Sequence, residues 1–144
     1  MKKFIVISSL LLCLLVGCSN TKKINMSETA IKIIKTYGLN LASVRDDVFD
    51  TIYFLDKDSI IDRIIYIDPL SRADHIAIME VKDYKKVEAD IKKSLEIFRR
   101  NYESYLPEEI SKIEKYQLEV VGNYVFIIVS DKENIDVSKC IVYE

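Results

Sequence analysis

The sequence predicts an α+β fold, in which an antiparallel or mixed sheet of about four strands packs against one long amphipathic helix and shorter helices on one face. Three features predict this class. Residues 60–67 and 75–81 are apolar and strand-like, residues 84–105 carry apolar side chains at every third or fourth position, and residues 116–129 have a hairpin pattern. Strands followed by a long helix and a hairpin are typical of an α+β domain.

Two helices are predicted before the first strand. Ser27 is the expected N-cap of the first, and Gly38 is expected to end it. Its apolar positions follow helical spacing: Ile31, Ile34, and Tyr37 or Leu39. The second is predicted over residues 46–55, because Asp46 and Asp47 suit the positive end of a helix.

The longest helix follows a pair of strands, Ile60–Ile67 and His75–Val81, joined by a loop over residues 68–74. Asp83 is the expected N-cap. The apolar stripe of the helix consists of Tyr84, Val87, Ile91, Leu95, Phe98, Tyr102 and Tyr105. Glu88 with Lys92, and Glu96 with Arg100, are predicted to form ion pairs across one turn on its solvent side.

A short helix and a hairpin are predicted next. Pro107 suits a helix start, and Glu108 and Glu109 suit its positive end, with Ile110 and Ile113 facing inward. Residues 116–121 alternate as a half-buried strand does, Gly122-Asn123 is a two-residue turn with glycine first, and residues 124–129 suit a central strand. The tail after Asp131 is expected to be a short helix or an edge strand.

The N-terminus has the pattern of a secretory signal. Two lysines precede an apolar stretch over residues 4–16, which is shorter than the roughly 20 residues that span a bilayer. Leu15-Val16-Gly17-Cys18 resembles the lipobox of bacterial lipoproteins, which implies cleavage before Cys18 and diacylglycerol on its thiol. An uncleaved hydrophobic anchor is the alternative. We therefore expect a signal peptide over 1–17, a lipidated tether over 18–26 and one globular domain over 27–144.

The tether residues Lys22 and Lys23 would lie close to anionic headgroups, although a merely solvated tether explains them equally well. Removal of 17 of the 144 residues takes two of the 21 basic residues and leaves 19 against 23 acidic ones. The resulting net charge near −4 argues against nucleic acid as a partner.

Cysteine usage predicts no internal disulfide. With Cys13 removed and Cys18 lipidated, Cys140 has no intramolecular partner. A packing role for Cys140 is favoured over a reactive thiol. The core must then supply the stability of the domain.

Catalytic, cofactor and metal motifs are lacking, so we predict no residue for any of these roles. His75 is the only histidine, and its position at a strand start favours a surface or edge residue over a catalytic base. Residues 56–62 faintly resemble a calcium loop but have Ile61 where the turn needs glycine. Gly38 and Gly122 are too few for a phosphate-binding loop.

Four segments together carry a resemblance to a known family: residues 75–83, Tyr105-Leu106-Pro107-Glu108, Gly122-Asn123-Tyr124-Val125, and Val129-Ser130-Asp131. They resemble the bacterial domain-of-unknown-function family 4358 from about Ser27 to Asp131. The resemblance implies a small single-domain lipoprotein, mostly of Gram-positive anaerobes, and it implies no activity. His75 stands where that family is expected to have an acidic residue.

The expected function is therefore that of a membrane-anchored extracytoplasmic lipoprotein, with a non-enzymatic binding or accessory role in the cell envelope. Its partners would be the membrane and another envelope protein or polymer. Exposed tyrosines could form a platform for a sugar or a peptide, and the basic residues of the long helix could meet an anionic polymer. A small envelope hydrolase using His75 and a solute-binding lipoprotein are the alternatives.

Overall fold

The computed structural model describes residues 22–144, so the predicted signal segment and Cys18 lie outside the described residues. The helices in that range are α1 Met26–Tyr37, α2 Asp46–Ile52, α3 Tyr84–Glu103 and α4 Ile110–Glu114. The strands are β1 Ala42–Ser43, β2 Ile60–Ile67, β3 His75–Val81, β4 Gln117–Val121 and β5 Tyr124–Val129. Short 3₁₀ turns occur at Lys57–Ser59, Pro107–Glu109 and Val137–Lys139.

The predicted α+β class is confirmed. The strands form a five-stranded sheet in the order β1-β2-β3-β5-β4, and every neighbouring pair is antiparallel. The two-residue β1 accounts for the one strand more than was predicted. The hairpin between β4 and β5 turns at Gly122, whose φ of 61° is the left-handed conformation expected for this turn.

One face of the sheet packs against α2, α3 and α4. Alternate residues of the central strands point to this face, among them Met79 and Ile127, and both are fully buried. Phe49 of α2, Ile91 of α3 and Ile113 of α4 complete this part of the core. The long helix and two of the shorter helices thus lie on one face, as predicted.

The opposite face of the sheet is covered by α1 and by the C-terminal tail, which the sequence prediction did not include. Ile76, Ile78, Phe126 and Ile128 point to this side and are as deeply buried as the residues of the first face. Strands β3 and β5 are apolar in both alternating sets of positions, so each face needs its own cover. One-sided packing would have left this second face in water.

Helix α1 begins earlier than predicted, and its predicted apolar face is only partly correct, because Ile34, Tyr37 and Leu39 pack against the core but Ile31 does not. Its N-cap is Asn25, whose side chain accepts from the Glu28 N–H at 3.0 Å, and not Ser27. Ile31 is 41 % exposed, whereas Thr29 is fully buried. The reason is a tertiary hydrogen bond, because the Val142 N–H of the tail donates to Thr29 Oγ1 at 3.0 Å.

Two further boundaries differ from the prediction. Helix α2 ends at Ile52 and not at residue 55, since the Phe54 N–H donates to Ser94 Oγ of α3 at 2.9 Å. Packing also begins before Ser27, because Ile24 is 3 % exposed and forms a bridge with Tyr143. The division of the chain at Ser27 stays a prediction, but residues 24–26 already belong to the folded structure.

The two ends of the sheet are in contact with different segments of the chain. The near end, where β3 stops at Val81 and β5 starts at Tyr124, receives the N-terminal chain, since the Ile24 N–H donates to the Tyr124 hydroxyl at 3.3 Å. The far end is where β2 stops at Ile67 and β3 starts at His75. The seven residues of β3 separate the two ends by about 20 Å.

The docking of the tail on α1 can be tested with a matched pair of substitutions. Thr29→Val keeps the shape of the side chain but leaves the Val142 N–H without its acceptor, so the free energy of unfolding should fall by about 1–2 kcal/mol. Thr36→Val, at an exposed position of the same helix, should change it by less than about 0.5 kcal/mol. Urea denaturation measures both, and equal effects of the two changes would contradict this docking.

Candidate functional site

The far end of the sheet carries a groove of about 500 Å³. Its walls come from β1 and α2, from the loop over residues 68–74 and from α3, with Val48, Ile52, Pro69, Phe98 and Tyr102 among the lining residues. Leu70, in the loop, and Tyr105, just beyond α3, are 68 % and 67 % exposed. An apolar groove with exposed large side chains nearby is the kind of surface that proteins use for binding.

The loop between β2 and β3 is held in place by its own backbone and by α3. The Asp68 N–H donates to the Asp74 carbonyl at 3.0 Å, and the Leu70 N–H donates to Asp68 Oδ1 at 2.6 Å. Ser71 has a φ of 61°, a left-handed conformation that non-glycine residues rarely adopt. Its carbonyl accepts from the Tyr102 hydroxyl at 3.1 Å, which ties the loop to α3.

A partly buried ion cluster connects the same loop to the α4 region. Lys112 Nζ lies 2.7 Å from Asp74 Oδ2 and 2.9 Å from Glu109 Oε2, and that oxygen also accepts from the Ala73 N–H at 3.0 Å. The exposed fractions of the three charged side chains are only 17 % for Lys112, 15 % for Asp74 and 9 % for Glu109. The cluster therefore fixes the start of β3 against the segment that follows α3.

The charges of this cluster stabilise one another. Burial by itself would raise the pKa of the Glu109 carboxyl, but hydrogen bonds from Lys112 and from the Ala73 N–H bring that pKa below its ordinary value. Burial would likewise lower the pKa of the Lys112 ammonium, and hydrogen bonds to Asp74 and Glu109 raise it instead. Glu109 and Lys112 are thus both charged at neutral pH.

Sequence reasoning explained Glu109 by the helix dipole alone and missed its partners. The three-residue spacing from Glu109 to Lys112 was a visible signal for an ion pair on one helical face. The contact between Lys112 and Asp74 joins residues 38 positions apart in the chain, so no local sequence pattern indicates it.

His75 lies in the core, so its interpretation as a surface or edge residue was wrong. It is 1 % exposed, because β3 is flanked by strands on both sides and α3 covers this face. The ring nitrogens have two partners, the Ala73 carbonyl at 2.8 Å from Nδ1 and the Tyr53 hydroxyl at 2.7 Å from Nε2. A carbonyl can only accept, so Nδ1 carries the proton of the neutral ring and Nε2 accepts from Tyr53.

This environment keeps the imidazole neutral. Burial lowers the pKa of His75 from 6.5 to about 4, although the hydrogen bond to Ala73 acts in the opposite direction. Burial also raises the pKa of the Tyr53 hydroxyl well above 10.0, so that it remains a donor. Since both ring nitrogens are occupied, neither is positioned to take a proton from a serine hydroxyl.

Several other predicted residues can now be placed. Cys140 is buried and free, and it packs with Ile135 and Val137 of the tail. The ion pairs predicted on α3 are present, with 2.7 Å between Lys92 and Glu88 and 2.9 Å between Arg100 and Glu96. Tyr84 and Tyr102 are half-buried, as their position on the apolar stripe predicts. The prediction was wrong for Tyr105, which is exposed because α3 ends at Glu103.

Residues 56–62 form a 3₁₀ turn and the start of β2, and Asp56 Oδ1 accepts from the Asp58 N–H at 3.1 Å. Among residues 22–144, no three His, Cys, Asp or Glu side chains are grouped so that they could hold a metal ion. In the same range, no helix combines the length and the apolar character that crossing a membrane requires.

Comparison with known proteins places this α+β domain in a family. The chain belongs to the family described as "Domain of unknown function (DUF4358)", which matches residues 34–130. This range includes all five strands, the loop over residues 68–74, His75 and the partly buried ion cluster. The match confirms the family that the sequence was predicted to resemble. No curated protein and no solved structure matches the chain.

The single histidine provides a pH test of the core. Because the pKa of His75 is about 4 in the folded domain and near 6.5 when unfolded, the unfolded chain binds the proton first as the pH falls. Stability should be fully present above pH 6.5 and should decline from there towards pH 4, by on the order of 3 kcal/mol in total.

Two measurements check this expectation. The imidazole signals in an NMR titration should remain those of the neutral Nδ1–H form at pH 5.5. A titration midpoint near pH 6.5 would show instead that the ring is accessible to solvent. Urea unfolding between pH 7 and pH 5 should reveal a loss of stability in the wild type that is absent from His75→Gln. The amide of glutamine retains a donor and an acceptor but does not titrate.

Proposed function

We propose that the chain is a lipid-anchored extracytoplasmic domain of the bacterial envelope, which binds another envelope component without catalysing a reaction. The lipid is on Cys18, after removal of residues 1–17. One observation carries the proposal: the N-terminal chain joins the sheet at the near end, while the groove, Leu70 and Tyr105 belong to the far end. An anchor at Cys18 would then lie on the opposite side of the domain from the candidate binding surface.

Chain length supports this arrangement. Four peptide units separate Cys18 from Lys22, and a fully extended chain of that length spans at most about 14 Å. Lipid at Cys18 would therefore hold the near end of the sheet close to the membrane. Its far end then points away from the bilayer, where an envelope protein or polymer can reach it.

The chemistry of the far end supports binding over catalysis. Leu70 and Tyr105 offer apolar surface to a partner, and the tyrosine adds a polar tip, a combination that is enriched at interfaces. The loop that presents Leu70 is tied to α3 and to the ion cluster, so little order has to be acquired on binding. The occupied nitrogens of His75 favour a structural role for this residue over the hydrolase alternative.

The anchor is tested by metabolic labelling with a fatty-acid probe in a bacterial host that processes lipoproteins. The wild-type protein should be labelled, and Cys18→Ala should lose the label because the thiol is the proposed attachment point. Cys13→Ala is the matched control, since it also removes a cysteine but lies inside the predicted signal peptide. Label that persists in Cys18→Ala would rule out the anchor.

The binding surface is tested by site-specific photo-crosslinking in cells. A photoreactive amino acid at position 70 or 105 should yield discrete crosslinked species, because both side chains are exposed at the far end. The same group at Ile31, which is exposed on α1, is the control and should give none of these species. Identical products from all three positions would show that the far end has no preferred partner.

A further inference from the structure

A second, smaller cavity of about 170 Å³ lies next to the groove at the far end. It is bounded by the turn after α1, over residues 38–41, by the loop over residues 68–74 and by the start of the C-terminal tail. Its charged lining residues are Asp68, Arg72, Asp74, Lys112, Asp131 and Lys132. The groove and the cavity share Asp68, Arg72 and Asp74, so a ligand in one lies beside the other.

Asp68 is the unusual residue of this cavity. It is only 6 % exposed, yet its carboxylate has a single hydrogen bond, from the Leu70 N–H to Oδ1. The other oxygen, Oδ2, has no partner within residues 22–144, and no cation lies within salt-bridge distance of it there. Oδ2 is not among the fully buried atoms that lack a partner, so it is open to water at the cavity, where a cationic or hydrogen-bond-donating group can take the place of that water.

The remaining charges of the cavity fall into two groups. Lys112 and Asp74 satisfy each other at 2.7 Å and have Glu109 as a further partner. In the described part of the chain, Asp131, Arg72 and Lys132 form no salt bridge. These three residues are exposed to solvent, and they add charges of both signs at the cavity that a ligand could pair with.

The end of α1 adds a further preference. This 12-residue helix ends at Tyr37, and its C-terminal turn leads directly into the cavity wall at Gly38. The C-terminal end of a helix carries partial negative charge, so it favours a cationic group nearby. Asp68 and the end of α1 therefore favour the same sign of ligand charge.

We propose that this cavity binds a small zwitterion of the α-amino-acid type. Asp68 and Asp131 hold its ammonium group, and Arg72 and Lys132 hold its carboxylate. The inference rests on the proposed role of the far end as the binding surface, but it does not depend on the lipid anchor. It gives that surface a second ligand class, a small molecule beside the macromolecular partner of the groove.

Size and charge favour this ligand class over a simple ion. The cavity has the volume of about six water molecules, which matches a ligand of about six non-hydrogen atoms. A metal cation would meet the positive charges of Arg72 and Lys132, and a simple anion would meet those of Asp68 and Asp131. A zwitterion places a charge of the correct sign against each group.

The test is isothermal titration calorimetry on the full chain purified in detergent, with L-alanine and D-alanine as probes. Ethylamine and acetate are added separately, because each carries only one of the two charges. At least one alanine enantiomer should bind saturably, and ethylamine and acetate should each bind about tenfold more weakly or not at all.

Matched variants assign the binding to the cavity. Asp68→Asn keeps the acceptor for the Leu70 N–H but removes the charge, so it should weaken alanine binding about tenfold or more. Arg72→Gln should also weaken it. Glu108→Gln removes a negative charge from an exposed residue that does not line the cavity, and it should leave the affinity unchanged. Circular dichroism shows whether each variant remains folded.

The outcomes separate this inference from the proposed function. Absence of saturable binding for both enantiomers, or equal affinity in folded Asp68→Asn, overturns the inference. Ethylamine that binds as tightly as alanine overturns the zwitterion class. Because the titration needs no membrane, a failed labelling experiment leaves it intact, and a failed titration leaves the anchor and the crosslinks at positions 70 and 105 untouched.

Discussion

The pairing of β3 with β5 at the centre of the sheet is the constraint on which the rest of the structure depends. Six residue pairs, from His75 with Val129 to Glu80 with Tyr124, join two strands whose residues are almost all buried. Both faces of this pair are apolar, so the chain must supply two layers of cover. Helices α2, α3 and α4 form one layer, and α1 with the C-terminal tail forms the other.

This central pair also determines what the far end can present. Strand β3 starts at His75 in the interior, so the two residues before it lie close to the core. The Ala73 N–H and the Asp74 carboxylate therefore need polar partners within the protein. Glu109 and Lys112 provide them. The base of the loop over residues 68–74 is consequently bonded to the α4 region, and Leu70 at its tip remains exposed. The groove and the smaller cavity are the spaces on either side of this fixed loop.

The histidine and the charged residues of this domain lie in different places. The only histidine is used inside the core, where its hydrogen bonds orient the start of β3 and its neutral state avoids a buried charge. The unused charges, such as Asp68 and Arg72, lie instead around a cavity at the far end. The cavity thus lies at the opposite end of the sheet from the point where the N-terminal chain makes contact.

The sequence by itself determined the α+β class, the long helix, the hairpin at Gly122 and the central place of β5, because these depend on local periodicity and on turn chemistry. It did not determine the inward rotation of Thr29, the burial of His75 or the contact between Lys112 and Asp74. Each of these depends on a partner 22 to 113 residues away in the chain. Only the tertiary structure decided them, since a polar residue turns inward only where a distant group replaces its hydrogen bonds to water.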